Sequence, residues 1–208
     1  MLAAGGIHFS KRALTEAEED HLLNLLGRTC LALESASTSN NMRKVPPFTA
    51  CLEKYIQQLG PEEWASFTRL RTDSRVRNLV QRCERIADLD LHRENILFTG
   101  HLPIKIDFDA LCSGPKALPF ACAIVGGFLL YQDGDLERYL AIITARCSTQ
   151  VEMDDLFILM ELRALLGLGF FRAAQHNGAR DVDMHITRYL VCLQRIRAHT
   201  LVRSTCAS

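Results

Sequence analysis

The stretch AlaLeuProPheAlaCysAlaIleValGlyGlyPheLeuLeuTyr, Ala117–Tyr131, is where the polar face of an ordinary surface helix disappears. A helix that is apolar all round has to be wrapped by the rest of its chain. A membrane span is the rival, but spanning takes about 20 apolar residues. Here Pro119 stands near the start, and the polar GlnAspGlyAsp follows at 132–135. The stretch therefore predicts a buried central helix. Gly126 and Gly127 lie inside it. Each glycine in a helix costs about 1 kcal/mol relative to alanine, so the pair predicts a close helix crossing, with a kink or ligand gap as the functional rival.

Downstream, Leu136, Tyr139, Leu140, Ile143 and Cys147 give 136–147 a helical stripe, and 151–171 is a second strongly apolar helix. Two such segments shield each other only inside a bundle. HisAsnGlyAla at 176–179 breaks the chain; Asp181 and Asp183 favour the start of a last helix with Ile186, Tyr189, Leu190, Leu193 and Ile196 on its core face.

Upstream, Thr15 and Glu18 form a capping box before Leu22, Leu23, Leu26, Cys30 and Leu33, which predicts a helix over about 15–35. The polar segment 35–46 reads as a linker ending at Pro46 and Pro47. Phe48, Cys51, Leu52, Tyr55, Ile56 and Leu59 then keep the 3.6 period until Gly60–Pro61. A short helix carries Trp64, Phe67 and Leu70, and Thr72–Ser74 caps another with Val76, Leu79, Val80, Cys83, Ile86 and Ala87 on its inner face. From Leu89 to Phe108 the period weakens. Ile104, Ile106 and Phe108 alternate as in a strand, so this segment is predicted as an extended arm pairing with Ile96–Phe98.

The predicted architecture is mainly α: a single-domain bundle of about 7–8 helices around 117–131, with a short β-hairpin or extended arm at 95–108. Residues 1–13 read as a flexible tail and 14–208 as the helical domain, with the linker-like segment 35–46 inside it. No repeat period is evident, which argues against a solenoid. A central apolar helix jacketed by amphipathic ones is the layout of Bcl-2-like folds. The motif residues of that family are absent, since no AsnTrpGlyArg precedes the hub and LeuLeuGlyArg at 25–28 lacks the LeuXXXXGlyAsp core, so no family follows.

The balance of 24 Lys+Arg against 24 Asp+Glu removes any global attraction to nucleic acid or anionic membrane. The cysteines at 30, 51, 83, 112, 122, 147, 192 and 206 form no close pairs and fall mostly among aliphatic residues, as buried reduced thiols do. With no apolar stretch of signal-peptide length at the N-terminus, the expected location is intracellular, cytoplasmic or nuclear.

The most specific charge feature is Arg69, Arg71, Arg75, Arg77, Arg82 and Arg85, a cluster able to grip phosphates or an acidic partner. The bland reading is a solvated face partly neutralised by Asp73, Glu84 and Asp88. Asp181, Asp183, His185, Cys192 and His199 invite a metal site. Steps of seven residues at 1.5 Å rise, however, leave helical neighbours about 10 Å apart, and capping carboxylates with packed histidines explain them better. Cys112 is the best-placed candidate thiol nucleophile, against a cysteine that only packs a loop. Asp107 and Asp109 share one side of the arm but lack a third acidic ligand for a divalent cation. Gly114–Pro115–Lys116 and Gly167–Leu168–Gly169 do not complete phosphate-binding motifs. No catalytic residue, metal or cofactor is implied. The sequence reads as a non-enzymatic interaction module, an adaptor or regulator of host or viral origin that binds other proteins or itself through grooves between helices. An RNA-binding or ribonucleoprotein component using 69–85 is the alternative.

Overall fold

The computed structural model describes residues 7–8, 14–99, 102–131, 136–145 and 151–206. Side chains at 7–8, 98–99, 102–103, 142–145 and 201–206 are outside the description, as are the polar residues 132–135 after the hub and most of the predicted 1–13 tail.

Nine α-helices and five short strands occur among the described residues. The chain runs β1 (Ile7–His8), α1 (Glu16–Ala36), α2 (Ser39–Met42), α3 (Phe48–Ile56), α4 (Pro61–Thr72), α5 (Ser74–Val80), β2 (Arg85–Asp88), β3 (Ile96–Thr99), β4 (Leu102–Lys105) and β5 (Leu111–Gly114). It continues through α6 (Leu118–Gly127), α7 (Leu136–Ala145), α8 (Met153–His176) and α9 (Asp183–Cys206). The mainly α architecture agrees with the sequence pattern.

The capping signals act where the sequence puts them. Thr15 Oγ1 accepts from the Glu18 amide at 3.4 Å while Glu18 Oε2 accepts from the Thr15 amide at 2.9 Å, which closes the box at α1. Asp73 Oδ1 accepts from the Arg75 amide at 2.7 Å and starts α5. Pro61 occupies the first turn of α4. The linker-like segment contains the single-turn α2, capped by Thr38 and without a buried residue.

The stretch that decides the fold is the axis of the molecule: every residue from Ala117 to Leu130 is buried. α6 packs on α8, α1, β2 and α7, and α8 in turn packs on α9 and α3. Residues 159–169 of α8 form a second continuous buried run. The hub departs from prediction at its end, because the α-helix stops at Gly127 and a 3₁₀ turn covers Leu129–Tyr131. Two glycines weaken the helix there, and Phe128 leaves helical geometry with its ring stacked on Tyr139 at 3.9 Å. Arg93, almost fully buried, donates from Nε to the Gly127 carbonyl at 2.5 Å, which puts a cation on the negative end of α6. The close crossing predicted at the glycines is present. A Cβ on Gly126 would run into the Leu91 carbonyl oxygen.

One predicted helix is half wrong. The apolar positions after Val80 are not helical: β2 pairs antiparallel with β5, with Ile86 opposite Ser113 and Ala87 opposite Cys112. A short strand buried on both faces carries no alternation, so its apolar run is indistinguishable by periodicity from a helix stripe. Cys83, expected inside, lies exposed on the connection. Ser113 and Gly114, just ahead of the hub, belong to β5, and the Ser113 amide bonds the Pro46 carbonyl at 2.9 Å.

The arm at 95–108 is the antiparallel hairpin β3–β4, with Leu97 opposite Ile104, and β1 adds to its other edge. Ile104, Ile106 and Phe108 do not face the core and stay exposed. Ile96 anchors β3 in the core, and a polar contact holds β4: Lys105 Nζ lies 3.3 Å from the fully buried Asp88 Oδ2 and donates to the carbonyls of Ile106 and Asp107. No helix among the described residues is long and apolar enough to cross a membrane. The six described cysteines are free thiols, and four of them are buried.

Candidate functional site

Helix α3 divides two hollows. Leu52 and Ile56 look into a groove closed by α4 and α5; Cys51, Lys54 and Tyr55 look into a cleft roofed by α8 and the turns around β2 and β5. The 3.6-residue period places both sets on one nine-residue helix without conflict.

The groove holds about 510 Å³. Leu52, Ile56, Phe67, Val76 and Leu162 form its apolar floor. Trp64, 41% exposed, stands over them with its ring centroid 5.9 Å from that of Phe67. Glu53, Gln57, Arg71, Arg77 and Gln81 provide a polar rim.

The six arginines of 69–85 do not act as one patch. Arg75 reaches Asp154 at 3.3 Å and Asp155 at 3.0 Å, Arg82 lies 3.9 Å from Asp155, and Arg85 pairs with Glu34 at 2.8 Å. The turn from α5 into β2 sends Arg85 to α1 and leaves Arg75 and Arg82 at the acidic first turn of α8. Arg69, Arg71 and Arg77 are exposed and form no ion pair with any described residue. The free positive charge thus collects beside the groove, with Arg71 and Arg77 on its rim.

The cleft on the other side of α3 holds about 610 Å³ between aromatic and aliphatic walls that include Tyr55, Leu166, Phe170 and Phe171. α8 approaches α3 closely there, since a Cβ on Gly169 would come within 2.5 Å of the Tyr55 carbonyl oxygen. Buried Arg163 bonds the Tyr189 hydroxyl at 3.3 Å and the Leu89 carbonyl. Next to it the turn after β2 is tied by Asp90. One carboxylate oxygen contacts His92 Nε2 at 2.8 Å and the other accepts from Asn95 Nδ2 at 2.5 Å. The hydrogen bond to His92, helped by Asn95 and by the charge of Arg163, holds the Asp90 carboxyl down to about 2 against the effect of burial. His92 Nδ1 accepts from the Glu94 amide at 3.2 Å, so Nε2 carries the ring proton and donates to Asp90. With both nitrogens engaged, the imidazole serves as a turn fastener and has no lone pair free for general-base work.

Cys112, the nucleophile suggested by the sequence, is fully buried in β5. Its neighbour Cys51 and burial together push its pKa well up. Cys51 is the half-buried member of the pair, on the cleft wall. Asp107 and Asp109 belong to one turn: Asp107 adopts φ 62°, and its Oδ1 accepts from the Asp109 amide at 3.2 Å. No group of three potential metal ligands occurs among the described residues. The C-terminal candidates are dispersed, with His185 stacked 4.4 Å from Phe171, Cys192 buried, and His199 edge-on to Phe157 and 3.0 Å from Glu137. No family model and no curated protein matches the chain.

Trp64 and Cys51 emerge only when α3, α4 and β5 are assembled. In the sequence each sits at a regular apolar position and reads as core. The one available hint was the crowding of glutamines and arginines around 57–82, too many for a face that packs.

Proposed function

We propose that the chain is a helical protein-interaction module that takes an amphipathic, acidic segment of another protein into the groove between α3, α4 and α5. The observation that carries this reading is the combination of an apolar floor, a tryptophan 41% exposed and two rim arginines that form no ion pair with any described residue. An apolar side chain seated on Leu52, Ile56 and Phe67 gains about 25 cal/mol per Å² of surface withdrawn from water, so one anchor contributes roughly 2 kcal/mol. Tryptophan and arginine are the residues most often found to dominate such interfaces, and carboxylates on the partner would complete Arg71 and Arg77. RNA is a weaker fit, since Arg75, Arg82 and Arg85 are already engaged by carboxylates.

The test is selection of displayed random peptides on the full chain, with Trp64→Ala and the double variant Arg71→Glu/Arg77→Glu as comparison baits. Enriched sequences should carry Leu, Phe or Trp anchors at helical spacing with Asp or Glu beside them, and both variants should bind them at least about tenfold more weakly, equivalent to about 1.4 kcal/mol. Equal binding to all three baits would remove the groove from the account. A salt series with single-stranded RNA covers the alternative: retention of RNA near physiological salt, with a slope reduced in the arginine variant, would put nucleic acid in place of the peptide.

A further inference from the structure

We propose that the cleft between α3 and α8 is a binding site for a small apolar monocarboxylate, whose carboxylate pairs with Arg163 and whose body lies against Tyr55, Leu166, Phe170 and Phe171. The site starts from one face of α8. Leu166, Gly167 and Phe170 follow Arg163 at intervals of three, four and seven residues, and all four line the same hollow. Arg163 is 3% exposed, yet it forms no ion pair with any described residue. It donates to the Tyr189 hydroxyl at 3.3 Å and to the Leu89 carbonyl, while its Nε has no hydrogen-bond partner among the described residues.

A guanidinium taken out of water is costly unless an anion compensates it. Other buried charges of this fold are compensated in that way: Asp88 has Lys105 at 3.3 Å, Glu63 has Arg172 at 2.9 Å, and Glu161 has Arg197 at 2.8 Å. Two carboxylates line the cleft, and neither forms an ion pair with Arg163. The oxygens of Asp90 are engaged by His92 Nε2 at 2.8 Å and Asn95 Nδ2 at 2.5 Å. Asp109 is exposed, as is Lys54, so these two opposite charges stand in water at the mouth. The interior therefore offers one uncompensated cation. Beside it the Tyr189 hydroxyl, which accepts from Arg163, donates to no described residue. A carboxylate has the charge for Arg163 and a second oxygen for the phenol. A dianion would leave one charge uncompensated in an apolar cleft.

The walls fix the rest of the ligand. Gly167 and Gly169, which complete no phosphate-binding motif, shape the hollow: a Cβ on Gly167 would run into the Tyr189 ring, and one on Gly169 into the Tyr55 carbonyl. Tyr55 and Phe170 meet edge to face at 5.3 Å, and Phe170 and Phe171 at 5.2 Å. Phe170 is left 44% exposed, a surface that an apolar body would cover. The volume of about 610 Å³ falls within the roughly 300–1,000 Å³ of small-ligand sites.

Isothermal titration of the full chain at neutral pH with naphthylacetate and with octanoate, each beside its uncharged primary amide, tests the proposal. At least one of the two acids should bind at least about tenfold more tightly than its amide. Tyr189→Phe keeps the ring and removes only the hydroxyl; it should weaken the acid about fivefold and leave the amide nearly unchanged. Arg163→Met should erase the preference for the acid. Phe170→Ala, at a surface position, should weaken acid and amide alike, which keeps the test decisive if Arg163→Met does not fold. Trp64→Ala, in the groove on the other flank of α3, should bind the acid as the parent does, so this site and the peptide groove fail or stand separately. No binding of either acid at about 1 mM, equal affinities for acid and amide, an affinity unmoved by both Tyr189→Phe and Phe170→Ala, or its loss in Trp64→Ala would overturn the proposal.

Discussion

Gly126 and Gly127 are adjacent and equally buried, yet their neighbours differ in kind. A methyl group on Gly126 meets the backbone carbonyl of Leu91, which cannot move without shifting the turn that carries Asp90 and His92. On Gly127 it meets the Leu26 Cδ1 atom at 2.5 Å, the end of a side chain able to rotate. Gly126→Ala should therefore destabilise the protein by about 3 kcal/mol and Gly127→Ala by about 1 kcal/mol or less, as read from denaturant midpoints at unchanged slope. The glycine pair was legible in the sequence as a close crossing, because a glycine inside an apolar helix needs a steric reason. Asp90 and His92 were not legible, since their roles come from hydrogen bonds inside a turn. The folded pKa of Asp90, about 2, lies below the ordinary carboxylate value near 4, so its stabilisation is complete above about pH 4 and is lost as pH falls toward 2. Acid titrations should show Asp90→Asn less stable than the parent near neutrality, with the gap closing below about pH 4.

At the scale of elements, capping residues and periodicity were sufficient for α1, α3, α4 and the two apolar helices. They failed where the chain turns from α5 into β2. Ile86 and Ala87 continue the helical stripe of Val76 and Leu79 in sequence, but the main chain of Arg85–Asp88 finds its hydrogen-bond partners in Leu111–Gly114. That pairing is non-local, and nothing in the local pattern announces it. The ion pairs of these elements differ in weight for the same reason of environment. Arg75 is 53% exposed and its partners Asp154 and Asp155 are 68% and 15% exposed, so Arg75→Ala should change stability by about 1 kcal/mol or less. Asp88 and Lys105 are 0% and 3% exposed and hold the β3–β4 hairpin to β2, so Lys105→Met should cost about 3 kcal/mol by leaving a buried carboxylate without its cation. Thermal or denaturant unfolding of the two variants side by side checks the contrast.

Across the whole molecule, α6 and α8 form a double apolar axis, and α3 lies against α8 with a hollow on either flank. The axis was legible because an apolar run without a polar face admits few placements. The hollows were not, because a groove belongs to several helices at once and its apolar floor looks like core in each of them. The arginine segment is the intermediate case: its charge was visible, but its division into paired and unpaired members depends on where Asp154, Asp155 and Glu34 arrive in space. Trp64 stands on the groove and is the one tryptophan in the chain, so its emission reports groove occupancy without a label. Titrating the full chain with an acidic amphipathic peptide selected on it should give a saturable blue shift of Trp64 emission that weakens at least about tenfold in Arg71→Glu/Arg77→Glu. Binding that leaves Trp64 emission unchanged and is indifferent to those arginines would contradict the interaction groove as the working surface of this protein.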